Sequence, residues 1–155
     1  MIKSSDLSPA RLVLRAGDPC SLVVRPDLVR VAFSAKVEEL DSGKAVTVLE
    51  AAFSALTREL GAALPGAVIV MRGLEWQADG KSKSRGEGIP HASGQIEVPL
   101  TDAQDYWARA RVLATLNALT LAAAAHGRTR KPAVEVSFGA PLTMLRAPEL
   151  HRAAL

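Results

Sequence analysis

VVRPDLVRVAFSAKVEE, residues 23–39, decides the fold. Apolar side chains fall at Val29, Val31, Phe33, Ala35 and Val37, with Arg30, Ser34, Lys36 and Glu38 between them. A period of two residues belongs to a strand with one buried face and one wet or differently covered face. Pro26 has no N–H for a strand ladder, so it marks a strand beginning or an edge. The residues on either side decide what such a strand can belong to.

Downstream, Asp41-Ser42-Gly43 breaks the alternation and can cap a helix. Leu49, Ala52, Phe53, Leu56, Leu60 and Leu64 then repeat at three- and four-residue spacing, which makes one apolar stripe on a helix over Ala45 to Leu64. Leu64-Pro65-Gly66 ends it. AVIVMRGLEWQA, 67–78, reads as a strand, and DGKSKSRGEGIP, 79–90, as a loop. HASGQIEVPL, 91–100, alternates again, with Ala92, Ile96, Val98 and Leu100 against Ser93, Gln95 and Glu97. The two strands form a hairpin with a long tip. Thr101 and Gln104 have the spacing of a capping box, so a second helix is expected from Asp102 to about His126, stopped by Gly127. A last strand, AVEVSF, follows Pro132. GAPLTMLRAPELHRAAL then leaves the sheet and is expected to form a short helix from Pro148.

The order β-α-β-β-α-β is the ferredoxin-like, split βαβ pattern, an α+β fold whose antiparallel sheet is covered on one face by two helices. Residues 1–20 are expected as an N-terminal arm or extra edge strand, centred on 11–16 and closed by the turn signal Gly17-Asp18-Pro19. Residues 21–155 form the single α+β domain. A chain of 155 residues is long enough to bury one real core.

Composition excludes several classes of function. The formal charge is only +3, far from the concentrated basic face of a dedicated nucleic-acid binder. One cysteine, Cys20, rules out an internal disulfide and a multi-cysteine metal site. The N-terminus carries no apolar h-region and the longest apolar run is too short to span a bilayer, so the chain as written reads as cytoplasmic with no membrane span.

Catalytic motifs are missing. Gly80-Lys81-Ser82 ends like a P-loop, but the first glycine of that motif would stand at position 75, which is Glu75, and no apolar helix starts at Ser82. His91, His126 and His151 stand far apart and in no ligand spacing, so no metal site is expected. His126 suits the negative end of a helix instead. No GxSxG elbow is present. Glu38 and Glu39 are adjacent on a strand, so they face opposite ways and cannot form a dyad. No catalytic residue and no cofactor is expected.

Two places remain as candidate sites. Lys81, Lys83 and Arg85 lie within five residues on the hairpin tip, where they either contact an anion or an acidic partner or keep a solvated tip soluble. Apart from Trp76, the flanking strands lack the aromatics of an RNA-binding sheet, which disfavours nucleic acid. The second helix is the other place. Val112, Leu113, Leu116, Leu119 and Leu121 spread over about half the circumference of its wheel, and Trp107 lies outside even that arc. Either the excess packs against the first helix and the C-terminal tail, or Trp107, Val112, Leu116 and Leu119 form a subunit interface.

The succession VRPDLVRVAFSAKV, AAFSALTREL, HASGQIEVPLTDAQDYW and VSFGAPLTMLRAPELHRAAL resembles the SIMPL domain family over most of residues 21–155. Members of that family typically carry a Pro-Asp step, here Pro26-Asp27, before an alternating strand and a long amphipathic helix. The chain departs from them in its lack of an export signal, its end at Leu155, and a hairpin tip of Lys, Ser and Gly where an aromatic-rich one is usual. Related members are often periplasmic. They include ring-forming envelope proteins and proteins of oxidative-stress defence, and none offers a transferable catalytic residue. The expectation is a non-enzymatic SIMPL-like protein acting by self-association or by binding a protein partner, with an envelope or stress role implied by the resemblance. The alternative is a small-ligand or polyanion/nucleic-acid binding module using Lys81, Lys83 and Arg85.

Overall fold

The computed structural model describes the backbone of residues 10–16, 18–39, 41–77 and 89–145, with side chains from Arg25 on, Gln77 apart. Strand β3, Leu28–Val37, is the opening stretch, and it lies inside the sheet. Its Val29, Val31, Phe33, Ala35 and Val37 are all buried, as their alternation requires. On one side β3 pairs antiparallel with β5, Ile89–Pro99, which is in turn paired with β4, Val68–Gln77. On its other side lie β6, Val134–Phe138, opposite Phe33–Val37, and β7, Leu142–Met144, opposite Leu28–Arg30. The order β4-β5-β3-β6, with helices α1, Ser42–Ala63, and α2, Tyr106–Thr129, in the two crossings, is the ferredoxin-like arrangement.

Phe33 organises the core. Its ring lies 4.9 Å from that of Phe53 on α1 and 6.2 Å from that of Phe138 on β6. It also sits over Gly94 of β5, where an added Cβ would meet Phe33 Cζ at 2.6 Å and the Val70 carbonyl oxygen at 2.5 Å. A glycine in a strand interior weakens the strand but admits such a close approach. Leu49, Phe53, Leu56, Leu60 and Leu64 bury the stripe of α1 against Ile96 and Val98. Burying each such side chain contributes on the order of 2 kcal/mol.

Pro26-Asp27 is a junction as well as a strand start. Leu100 N–H donates to the Asp27 carbonyl at 2.8 Å, and Asp27 N–H donates to that of Met144 at 3.1 Å. Arg109 on α2 reaches back to the Pro26 carbonyl through Nη1 at 2.8 Å, while its Nη2 and Nε hold the carbonyls of Thr101 and Gln104 at 3.1 and 3.3 Å. One guanidinium therefore ties the start of α2 to the start of β3.

The structure corrects four expectations. First, residues 18–24 are themselves a strand, β2, paired antiparallel with β1, Ala10–Ala16, in a separate two-stranded sheet. The segment at 11–16 is thus half of a hairpin, and Pro19, which reads as a turn residue, stands opposite Arg15. Second, α2 is capped by Asp105, whose side chain accepts from Ala108 N–H at 2.7 Å, and not by Thr101. The bond from Thr101 N–H to Gln104 Oε1 does form at 2.9 Å, but it closes a turn ahead of the helix. Third, Gly127 does not stop α2, which continues to Thr129. It is buried against β6, where a Cβ would lie 2.3 Å from the Val134 carbonyl oxygen. Fourth, Leu142–Met144 returns to the sheet instead of leaving it. Continuing the β6 register would put Pro141 opposite Arg30, and Leu142 stands there, so one extra residue separates the two segments. The helix expected from Pro148 lies outside the described residues, as do Lys81, Lys83, Arg85 and His151.

Candidate functional site

The four residues expected to form an interface on α2 do not share a surface. Leu116 is fully buried in the core, and Val112 and Leu119 pack against that core from its margin. Trp107 alone points outward, 60% exposed, with its ring 5.0 Å from that of Tyr106 in an edge-on contact. Leu121, also exposed, is fourteen residues away, about 20 Å along the helix axis. The broad apolar arc of α2 is therefore mostly used within the fold, against α1 and β6.

The exposed apolar residues concentrate on β4 instead. Val68, Val70, Met71, Leu74 and Trp76 are each between 37% and 50% exposed. This strand ends the sheet: β5 pairs with one of its edges, and among the described residues nothing pairs with the other. Residues directly opposite in an antiparallel pair share a face. Val68 and Val70 stand opposite Glu97 and Gln95, so they lie on the open face. Met71, Leu74 and Trp76 stand opposite Gly94, Ala92 and Pro90, on the face that carries the helices. Trp76 lies beside the start of α1, and its Nε1 donates to Ser42 Oγ at 3.2 Å. Both faces of this edge are thus apolar at the margin.

A bulge sits in its middle. Met71 pairs with Gly94 and Gly73 with Ser93, leaving Arg72 as an extra residue. Arg72 Nη2 donates to Gln95 Oε1 at 3.0 Å on the open face. Gln95 Nε2 donates to Glu97 Oε1, which also accepts from Arg30 Nε and Nη2 at 3.1 and 2.8 Å. This ladder crosses β4, β5 and β3 and satisfies Gln95, which is buried despite facing away from the core. Glu75, the other charged residue of β4, stands opposite His91 on the same open face.

The opposite side of the molecule holds a shallow cleft of about 250 Å³ between α1, α2 and β6. Phe53, Leu56, Val136 and Phe138 line it, with Glu59, His126 and Arg130 also contributing. It opens because α2 presents Ala122 and Ala123 there. His126 and Glu59, far apart in sequence, both line this cleft. Among the described residues no group of three His, Cys, Asp or Glu side chains gathers as a metal site, and no helix is long and apolar enough to cross a membrane.

Comparison with known proteins gives no family. No family model matches the chain, and no curated protein matches it. Among solved structures it is similar to an amidase of the hydantoinase/carbamoylase family from Burkholderia phymatum, with 16% identity, TM-score 0.46, and coverage of 97% of this chain and 36% of that one. A second amidase of that family, from Burkholderia ambifaria, gives 13% identity and TM-score 0.43 over 72% of this chain and 27% of that one. A de novo designed protein with a ferredoxin fold gives 15% identity and TM-score 0.39 over 77% of this chain and 88% of that one. The chain thus spans about a third of the amidases or less. At these values the likeness is one of outline, and the fold assignment rests on the strand order itself.

Proposed function

We propose that this chain is a non-catalytic association module, SIMPL-like in the order of its elements, which binds another polypeptide by adding a strand to β4. The observation that carries this reading is the concentration of five large, exposed apolar side chains on a ten-residue strand whose outer edge nothing pairs among the described residues. Unpaired N–H and C=O groups along such an edge are a template for another strand, and apolar side chains on both faces give that strand something to pack against.

Sedimentation and light scattering from micromolar to about millimolar protein test it directly. The expected result is concentration-dependent association that disappears in a Val70→Lys/Leu74→Lys variant, because edge lysines oppose strand addition. A wild-type chain that stays monomeric throughout, and that sediments like the lysine variant, would remove the reading.

A further inference from the structure

Resting on the reading of β4 as the binding edge, we infer that its partner is a second copy of this chain, paired antiparallel about a twofold axis at Leu74, with the Arg72–Gly73 bulge of each copy opposite Glu75 of the other. In a twofold contact, residue i meets residue j of the other copy and j meets i, so the strand must be complementary to itself. β4 meets that condition in charge. The register sets Arg72 of each copy opposite Glu75 of the other, which gives two ion pairs across the axis. It also sets Met71 opposite Trp76 twice, a pairing of thioether and indole.

The bulge makes this register workable. In a regular strand, residues three apart lie on opposite faces, so Arg72 and Glu75 could not meet. The extra residue at Arg72 restores the match: Arg72 reaches Gln95 on the open face, and Glu75 lies on that face opposite His91. Met71 and Trp76 both lie on the helix face. Opposite charges directly across a strand pair stabilise it and like charges oppose it, so the same residues fix the register and reject a shifted one. No other charged residue stands on β4 to compete.

The test is a charge-swap complementation read by sedimentation. Arg72→Glu alone and Glu75→Arg alone each put like charges opposite one another, and each is expected to weaken self-association by about tenfold or more. An equimolar mixture of the two variants places Glu opposite Arg at both positions, and is expected to recover association as a heterodimer. In the unmodified chain, an isotope-filtered sample is expected to show intermolecular contacts between the Met71 methyl and the Trp76 ring. That measurement stands even where Arg72→Glu fails to fold. If the wild type associates but neither swap weakens it, or the mixture stays apart and the Met71–Trp76 contacts are absent, this register is overturned while the β4 edge reading survives. A wild type that does not associate overturns both.

Discussion

The two ends of the sheet face the same physical problem and meet it differently. β6 and β7 end one side, β4 the other. The β6 strand has five residues, and an extra residue around Pro141 separates it from the three residues of β7. It carries Glu135 on its outward face, paired with Lys36 Nζ at 2.7 Å. Shortness, charge and irregularity are the usual means of blunting an exposed edge. By contrast β4 is ten residues long and apolar at its margin, and its two charges are of opposite sign and three residues apart. The lesson is that exposed apolar area matters less than where it lies. Trp107 and Leu121 are more exposed than any of the large apolar residues of β4, but they stand alone on a helix that has no unpaired backbone to offer.

The sharpest way to break the comparison is to undo what closes the β6 side. Gly127 lets α2 approach β6 so closely that a Cβ would overlap the Val134 carbonyl. Gly127→Val is expected to destabilise the fold by about 3 kcal/mol, because the helix must lift from a strand it cannot deform cheaply. Denaturant melts give the loss. Hydrogen exchange should place it at Val134–Phe138, and a β6 that kept its protection would mean that Gly127 is merely tolerated there.

Arg109 comes next in size. Its guanidinium reaches three carbonyls, at Pro26, Thr101 and Gln104, and so joins the start of β3 to the start of α2. Arg109→Met keeps most of the side-chain length and removes the donors. The expected cost is about 2 kcal/mol, the scale for hydrogen bonds from a charged group. It should leave association through β4 untouched, since none of the three carbonyls it holds belongs to β4. Equal loss of stability and of association would mean that the edge depends on the whole frame and not on its own residues.

These sites differ in how visible they were in the sequence. The alternation of Val29 to Val37 and the stripe from Leu49 to Leu64 are local patterns, repeated several times, and the structure follows both. The order of the elements along the chain follows from them. Gly127 and Arg109 could not be read that way. A glycine near the end of an apolar helix looks like a stop, and only the position of Val134 shows that it is a contact. Arg109 looks like one more solvated charge on α2, because Pro26 lies eighty-three residues away. The apolar arc of α2 is wide, yet Leu116 at its centre is in the core, since α2 packs on both α1 and β6. The edge on β4 was hidden for a related reason. AVIVM reads equally well as a buried strand, and only its place at the end of the order exposes it.

Lysine substitution at Val70 and Leu74 tests the β4 edge with little cost to the fold itself. Both positions are well exposed, so stability should change by no more than about 0.5 kcal/mol while association is lost. Parallel denaturant melts and sedimentation separate the two effects, and a large loss of stability would mean that these side chains belong to the core of the monomer.

The smallest effect belongs to the charged guard of β6. The Lys36 hydrogen bond and positive charge hold the Glu135 carboxyl below its ordinary value, and the same contact raises Lys36 above its own. The sign follows from each shift. A depressed carboxylate contributes stability above its ordinary value and loses it as pH falls through the lowered one, whereas a raised ammonium contributes below its ordinary value and loses it as pH rises through the raised one. The pair therefore acts across the middle of the pH range and fades at both ends. Both side chains are about half exposed to solvent, so the contribution is slight and screened by salt. Glu135→Gln is expected to lower the melting temperature slightly at neutral pH and low salt, with the difference from wild type vanishing in acid and at about 1 M salt, where the screening length is only about 3 Å. Calorimetry in the two salt conditions checks it. A difference that persisted at high salt would mean that Glu135 guards its edge by packing or hydrogen bonding and not by charge, and the contrast with β4 would then rest on strand length alone.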